Sequence, residues 1–326
     1  MRPLITLFLL ATLAVGGWIW WAVYAPVSPV QTQSVLLHAG YSTHRIAAEL
    51  KKAGVIHSEL AFRLWHWRHP KPSLKAGEYL FEHEASLPQV YERIARGDVC
   101  FHTVTIPEGY TMFDVAKAME DAGLGSAEDF VRIAETRTEL IADLAPEAKS
   151  LEGYLFPDTY EFTRTQTQEE MVGAMVRQFR QVAQQIELNT DVNRTVTMAS
   201  IVEKETAAPE ERPRVASVYY NRLARKMALD ADPSVIYAEL LAGTYAGSLH
   251  HADLSMNSPY NTYRYPGLPP GPIGNPGRSA LVAALHPENT QFLYFVSDGN
   301  GHHRFARSLQ EHNRNVAAFR RSLGLR

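Results

Sequence analysis

A single cysteine, Cys100, stands in the whole chain, so neither an internal disulfide nor a cysteine-rich zinc site can define the fold. Its expected place is that of a small core residue. Surplus positive charge is missing too. Thirty-two lysines and arginines face thirty-five aspartates and glutamates, a formal net charge of -3, without the basic excess that binding a phosphate backbone requires. No nucleic-acid partner is expected. Disorder is excluded as the main state, because 45% hydrophobic and 10% aromatic residues supply enough apolar surface to offset the entropy of ordering. At 326 residues the chain is about twice the ~150 that serve as a prior for one domain, which predicts two folded units, each with its own core.

What is present begins with 21 uncharged residues, Leu4 to Tyr24. As a helix they rise about 31 Å, enough to cross a hydrocarbon core of ~30 Å. Trp18, Trp20, Trp21 and Tyr24 gather at the far end, where amphipathic rings favour the headgroup region, and Arg2 and the N-terminal amine precede the span. A cleaved signal peptide is the competing reading. The run exceeds the usual apolar core of such a peptide, and the candidate site after Ala25 is followed by Pro26, which is poor for processing. Residues 1–25 are therefore expected to be a single-pass signal anchor in the inner (cytoplasmic) membrane. Its N-terminus is expected to be cytoplasmic, with everything from about Pro26 onward periplasmic or otherwise extracytoplasmic. No second hydrophobic run of that length brings the chain back. Membrane lipid is thus an expected partner, and residues 26–33 read as a polar linker that lifts the folded part off the bilayer.

Beyond the linker lies a weak internal repeat. Leu37-His-Ala-Gly40-Tyr41-Ser42, Ile46-Ala47, Leu50 and Ala53-Gly54-Val55 align, 69 residues later, with Ile106-Pro-Glu-Gly109-Tyr110-Thr111, Val115-Ala116, Met119 and Ala122-Gly123-Leu124. Each copy reads strand, tight turn, helix, with Ser42 or Thr111 as N-cap and a glycine at the helix end. With the strand and helix predicted between them, residues 34–100 form a small α+β module. A Gly-x-Ser/Thr turn leading into an amphipathic helix resembles the LysM type of carbohydrate-binding module, although strand-turn-helix units are common in ordinary packing. Trp65 and Trp67 could stack on sugars or fill the core. A helix is predicted from Gln168 to Ile186, its inner face supplied by Met171, Met175, Val176, Phe179 and Val182.

The segment from Val196 to Ala208 has helical apolar spacing. At about 100° per residue, Met198, Ile201, Val202 and Ala208 share one side, with Glu205 at the centre of that side and Glu203 nearly opposite. A glutamate on the apolar stripe needs a partner or a use. Desolvation would raise its pKa toward the range in which one group can donate and then accept a proton, the requirement for cleaving a glycosidic bond. The structural alternative is a buried ion pair with Arg222, which shares the inner side of the next helix with Val215, Val218 and Tyr219. Asp232 reads as the cap of a helix begun by Pro233. The loop from Asn257 to Gly277 holds six prolines and four glycines in 21 residues, so it can be rigid without regular hydrogen bonding. Within it Tyr260, Asn261 and Tyr263 offer stacking faces and a bidentate amide suited to a sugar chain, or else simply pack. His302 and His303 fall at a hairpin tip without a spaced third ligand, so no metal site is expected there.

Taken together, these motifs resemble the MltG (YceG-like) family of endolytic murein transglycosylases. The resemblance rests on Ile201-Val-Glu-Lys-Glu205-Thr206, Val218-Tyr-Tyr-Asn221-Arg222-Leu223, Asp232-Pro-Ser-Val-Ile-Tyr237, Tyr260-Asn261-Thr262-Tyr263, Gly267-Leu-Pro-Pro-Gly271-Pro-Ile273, Asn275-Pro-Gly277 and His286-Pro287. It covers nearly the whole chain, in order and in spacing. The fold class expected on this basis is α+β. It comprises an N-terminal transmembrane helix, a LysM-like module over 34–100 and a larger mixed α/β catalytic region over 101–326 with its core in 150–326. The resemblance implies cleavage of the β-1,4 bond between N-acetylmuramic acid and N-acetylglucosamine within peptidoglycan glycan strands, leaving 1,6-anhydro-N-acetylmuramic acid ends. It also implies termination of nascent strands near peptidoglycan synthases. It makes Glu205 the catalytic residue, with Asn221, Arg222, Tyr260, Asn261 and Tyr263 holding the strand or positioning Glu205, and it implies no metal or organic cofactor. Two other readings remain open on the residues alone: a lysozyme-type hydrolase with Asp158 or Asp232 as base, and a non-enzymatic glycan-binding adapter.

Overall fold

The computed structural model describes residues 2–29, 31–71 and 73–323, with the backbone alone for Arg2 and Pro3. The N-terminal amine and the Arg2 side chain, on which the anchor's orientation rests, lie outside the described residues. So do Val30 of the linker and the last three residues of the expected catalytic region. The chain divides into two compact units, residues 1–103 with 161–167 and residues 104–160 with 168–326.

The first unit runs α1 (Arg2–Tyr24), β1 (Gln33–Leu37), α2 (Thr43–Lys52), α3 (Glu59–Arg68), β2 (Gly77–Phe81) and α4 (Leu87–Arg96). Strands β1 and β2 pair antiparallel, Gln33 opposite Phe81 and Leu37 opposite Gly77. Two strands alone are marginal in water. Here Val35, Leu37, Tyr79 and Phe81 are covered by Ile46 and Leu50 of α2, Phe62 of α3 and Val90 and Ile94 of α4. Helix α1 is long and apolar enough over Leu4–Tyr24 to cross a membrane, with mean hydropathy 1.9. Its final turn departs from expectation, because Ala22 and Val23 are buried in this unit's core. Residues 26–33 do not act as a free spacer either, since Val27 and Ala85 exchange backbone hydrogen bonds of 2.9 and 3.1 Å. Cys100 is half-buried instead of lying in the core. It follows α4 on a turn whose backbone extends the edge of β2, the Cys100 amide donating to the Glu78 carbonyl.

Strands β3 (His102–Thr105) and β4 (Thr159–Phe162) are each divided between the units, and the second unit further holds α5 (Met112–Asp121), α6 (Ala127–Thr136), α7 (Gln168–Gln185), α8 (Val192–Glu205), α9 (Arg212–Ala224), α10 (Asp232–Ala242), α11 (Arg278–Leu285), β5 (Tyr294–Ser297), β6 (His303–Ala306) and α12 (Leu309–Ser322). The internal repeat is visible in both units. Ser42 and Thr111 cap α2 and α5 by accepting from the amides three residues on, and Gly40 and Gly109 take φ of +82° and +79°. Strands are few: among the described residues β3 pairs with β4 and β5 with β6, so helices carry the core. Helix α7 buries the face predicted for it, Met171 through Val182. Helix α8 packs against α9, α10 and α11, and every residue from Thr195 to Val202 is buried.

The proline- and glycine-rich loop reaches that core. Residues 271–277 are all buried, and Asn275 is their fastener. Its Oδ1 accepts from the amides of Gly153 and Leu155 at 2.9 Å each, while its Nδ2 donates to the Tyr110 carbonyl and the Glu152 carboxyl. Glu152, itself buried, also accepts from the Met112 amide at the start of α5. Gly153 has φ of +89°, and a β-carbon there would strike the Pro272 ring. Asn275→Ala leaves buried donors without partners and is expected to lower unfolding free energy by about 2–4 kcal/mol. Gly153→Ala should destabilise by a similar amount. Denaturant titration of the folded chain measures both.

Candidate active site

Helix α8 ends at Glu205, because Thr206 leaves the helical region for extended backbone at φ -141°, ψ 130°. Glu205 therefore occupies the last turn, beside carbonyls that form the negative pole of the helix. Its Oε1 accepts a 2.7 Å hydrogen bond from the Tyr219 hydroxyl of α9. The carboxyl is pushed up to about 7: burial and, less, the charge of Asp232 raise it, against the Tyr219 hydrogen bond and the charges of His303 and Arg222, which pull it down. Helix polarity acts in the same upward direction. Tyr219 is raised well above its ordinary value by burial and by Glu205, so it remains a hydroxyl donor.

Glu205 opens on a cavity of about 370 Å³ lined also by Tyr219, Arg222, Leu229, Asp230, Asp232, Tyr263, Tyr294, Phe295, Leu309 and His312. Five separate stretches build it: the α8–α9 pair, the start of α10 with the residues before it, the proline- and glycine-rich loop at Tyr263, the β5 strand and the start of α12. Tyr294 carries the Arg222 guanidinium over one ring face at 5.2 Å and stacks with His312 at 5.2 Å. Phe295 meets Tyr219 edge-on at 5.8 Å. One wall is thus aromatic and cationic, and the Asp230 and Asp232 side is anionic.

The two glutamates lie on opposite sides of α8, as their helical angles predict, but neither side is open water. Glu203, on the side opposite Glu205, is not on a wet face: its side chain is 5% exposed and pairs with buried Arg212 at 2.5 Å. The Gly277 amide donates to its other oxygen at 2.9 Å. The reason is that α8 is buried on every face from Thr195 to Val202, so the two glutamates that follow meet different walls of protein while Lys204 between them is exposed. Arg222, the alternative partner for Glu205, spends its hydrogen bonds elsewhere. It donates to the carbonyls of Leu293, Ala228 and Leu229 and to Asp230 at 3.0 Å.

Of the residues singled out in the sequence, Glu205, Arg222 and Tyr263 come together in this cavity. Tyr263 donates to Asp232 at 2.5 Å. Asp232 is the first residue of α10, behind Ala231 at the cap position, so its carboxylate faces the cavity and not the helix amides it was expected to cap. Asp158, the other candidate base, accepts from Gln178 outside the cavity's described lining. Asn221, Tyr260 and Asn261 also fall outside that lining. Asn221 donates to the carbonyls of Thr290 and Phe292, holding the strand approach that presents Tyr294. Asn261 is fully buried: its Nδ2 donates to the carbonyls of Leu254 and Met256, and its Oδ1 accepts from the Tyr263 amide. Tyr260 packs its ring 5.1 Å from that of Tyr237, and burial pushes its hydroxyl up to about 12. At the hairpin, His303 Nδ1 meets Glu211 at 2.7 Å and His302 lies 3.4 Å from the same carboxylate. Sequence reasoning missed Tyr294, Phe295, Leu309 and His312, which carry no motif. Tyr219 was visible only as an inner-face aromatic beside Arg222.

Comparison with known proteins gives concordant results. Residues 35–318 match the model of the YceG-like family. A Bacillus subtilis protein named endolytic murein transglycosylase is 34% identical over 304 residues, covering 87% of this chain and 83% of that protein. A Streptococcus pneumoniae protein of the same name is 31% identical over 95% of this chain, which spans 64% of that longer protein. Among solved structures, a yceG-like protein from Listeria monocytogenes is 32% identical, with a TM-score of 0.56 over 87% of this chain and 99% of that one.

The opposing influences on Glu205 can be separated. Tyr219→Phe removes a hydrogen bond that favours the carboxylate and should raise the carboxyl pKa above about 7, whereas Asp232→Asn removes a repelling charge and should lower it. Carbon-13 NMR titration of the glutamate carboxyl reads both shifts. Folding lifts this group from 4.5 to about 7, so its contribution to stability is complete below 4.5 and is lost as pH rises through about 7. Glu205→Gln cannot ionise and should gain about 1–3 kcal/mol over the parent between about pH 5 and about pH 8 in denaturant titrations.

Proposed function

The chain belongs to the YceG-like family, and from that premise we propose that it is a membrane-anchored endolytic murein transglycosylase with Glu205 as its acid and base. It cuts the β-1,4 bond between N-acetylmuramic acid and N-acetylglucosamine inside glycan strands and leaves 1,6-anhydro-N-acetylmuramic acid ends. The observation that carries this reading is a carboxyl poised near neutrality on the wall of an open cavity. At that pKa a useful fraction is protonated at physiological pH, and the conjugate base is still strong enough to recover a proton.

Protonated Glu205 gives its proton to the bridging glycosidic oxygen as the bond from that oxygen to muramic-acid C1 breaks. The 6-hydroxyl of the same sugar attacks C1, and its proton passes to Glu205, which restores the starting state. Positive charge develops at C1 in the oxocarbenium-like transition state, and the carboxylate of Asp232 supplies a counter-charge in the same cavity. The nucleophile is already attached to the substrate, so proximity does the work that an activated water and a second acid do in a hydrolase. Arg222 and Tyr263 frame the strand. Asn221 and Asn261 act behind them, holding the segments that present Tyr294 and Tyr263, and Tyr260 supports the loop against α10.

The same reading puts the N-terminus of α1 in the cytoplasm and everything from about Pro26 onward on the extracytoplasmic side of the cytoplasmic membrane. There the enzyme would end nascent strands beside peptidoglycan synthases. A LysM-like first unit would bind glycan as the second unit cuts.

Purified murein digested by the full-length protein should yield fragments whose new ends are lighter by one water than hydrolysis products, as read by mass spectrometry. Products carrying that water would overturn the transglycosylase reading. Glu205→Gln should reduce product release by at least about 100-fold with its fold intact, since general acid-base groups typically contribute 10²–10⁴-fold.

A further inference from the structure

Helix α3 buries one side and exposes the other. Ala61 and Phe62 enter the first unit's core. On the opposite side Leu60, Leu64 and Trp67 are 50%, 44% and 78% exposed, at the four- and three-residue spacing of a single stripe. Arg63 and Arg68 lie exposed within and beside it, and Lys71 follows. Trp67, a candidate sugar-stacking residue in the sequence, thus belongs to an apolar stripe edged with positive charge. Trp65 is half-buried, edge-on to Tyr24 of α1.

The stripe's position follows from two ring contacts with α1. Trp21 stacks on His57 at 4.2 Å and Tyr24 meets Trp65 at 6.2 Å. Both contacts lie in the last turn of α1, and their partners are His57, just ahead of α3, and Trp65 within it. Helix α3 therefore meets α1 at the last turn of the apolar stretch, where a spanning helix leaves the hydrocarbon. A helix held at that level lies at the depth of the interfacial plane. Leucine and tryptophan on one face with arginine alongside is the composition that such a plane accepts, with indole at headgroup depth and guanidinium on lipid phosphate.

We propose that α3 is an interfacial membrane helix, its Leu60–Leu64–Trp67 stripe seated in the headgroup region of the bilayer that α1 spans. This rests on the anchor reading of α1. Burial of Ala22 and Val23 joins the two helices without a spacer, so the bilayer fixes the tilt of the first unit as well as its distance from the surface.

The test uses the full chain with Cys100→Ser, reconstituted into vesicles of phosphatidylcholine and phosphatidylglycerol. Single cysteines are introduced by Leu64→Cys or Leu10→Cys and labelled with an environment-sensitive fluorophore. Leu10 reports the anchor. The proposal expects the Leu64 label to be quenched by lipids carrying a shallow nitroxide and to lose aqueous iodide quenching severalfold relative to a detergent-free labelled peptide of residues 59–71. Protection at Leu10 with full iodide access at Leu64 overturns the interfacial helix and leaves the anchor standing. Access at both positions overturns the anchor and the proposal with it. Shielding at Leu64 that requires added murein glycan fragments also overturns it, since the stripe would then be a sugar face.

Discussion

Helix α8 is buried on every face from Thr195 to Val202, and a helix so enclosed can carry two glutamates in its last turn only if each has its own polar surroundings. Much of the second unit answers to that constraint. Glu203 receives Arg212 and the Gly277 amide, a charged and hydrogen-bonded pocket that keeps it engaged in structure. Glu205 receives one neutral hydroxyl, the neighbourhood of another carboxylate and an opening to the cavity. Two chemically identical side chains two residues apart are thereby given different tasks. The difference lies in what faces them, since a buried carboxyl paired with guanidinium and one paired with a phenol sit in different electrostatic environments.

The loop between α10 and α11 secures this arrangement from behind. Proline restricts it and glycine lets it pass close to other backbone, yet it is fixed chiefly by the amide of Asn275 and by the Ile273 amide donating to Ser200 of α8. Gly274 lies so near the Gly109 carbonyl that a β-carbon would come within 2.8 Å of it. The turn of the second repeat copy is therefore packed against the loop through backbone, and side chains at these glycines would push α8 and its terminal glutamate out of register. The sequence left this loop open between a sugar-facing surface and a packed structural element. Only Tyr263 from its first half reaches the cavity, and the second half is an internal brace.

Charge in the cavity is divided in a way that suits a bond-breaking step more than tight ligand holding. Arg222 is tied to three carbonyls and Asp230, so its charge is fixed in place and not free to pair with Glu205. Asp232 is oriented by the Tyr263 hydroxyl. Polar groups that are already held need little reorganisation when charge develops on a substrate, which is how electrostatic stabilisation is made effective.

Local chemistry was legible in the sequence. The apolar run of α1, the two capped repeat helices, the inner face of α7 and the placement of Glu205 among apolar neighbours all depend on residue spacing within one element, and spacing is what a sequence records. The family resemblance added the bond to be cut. What the sequence could not give was the company each residue keeps across elements. Glu203 points opposite Glu205 as its helical angle predicts, but that angle fixes direction and not the Arg212 that lies there. Asp232 read as a cap because its turn toward Tyr263 depends on a residue 31 positions away. Tyr294, Phe295, Leu309 and His312 went unnoticed because a wall of ordinary residues acquires meaning only when distant stretches meet. The chain's order determined which carboxyl is withdrawn from water. The tertiary structure decided what surrounds it, because the energy of a buried charge depends on distances through space that no linear spacing specifies.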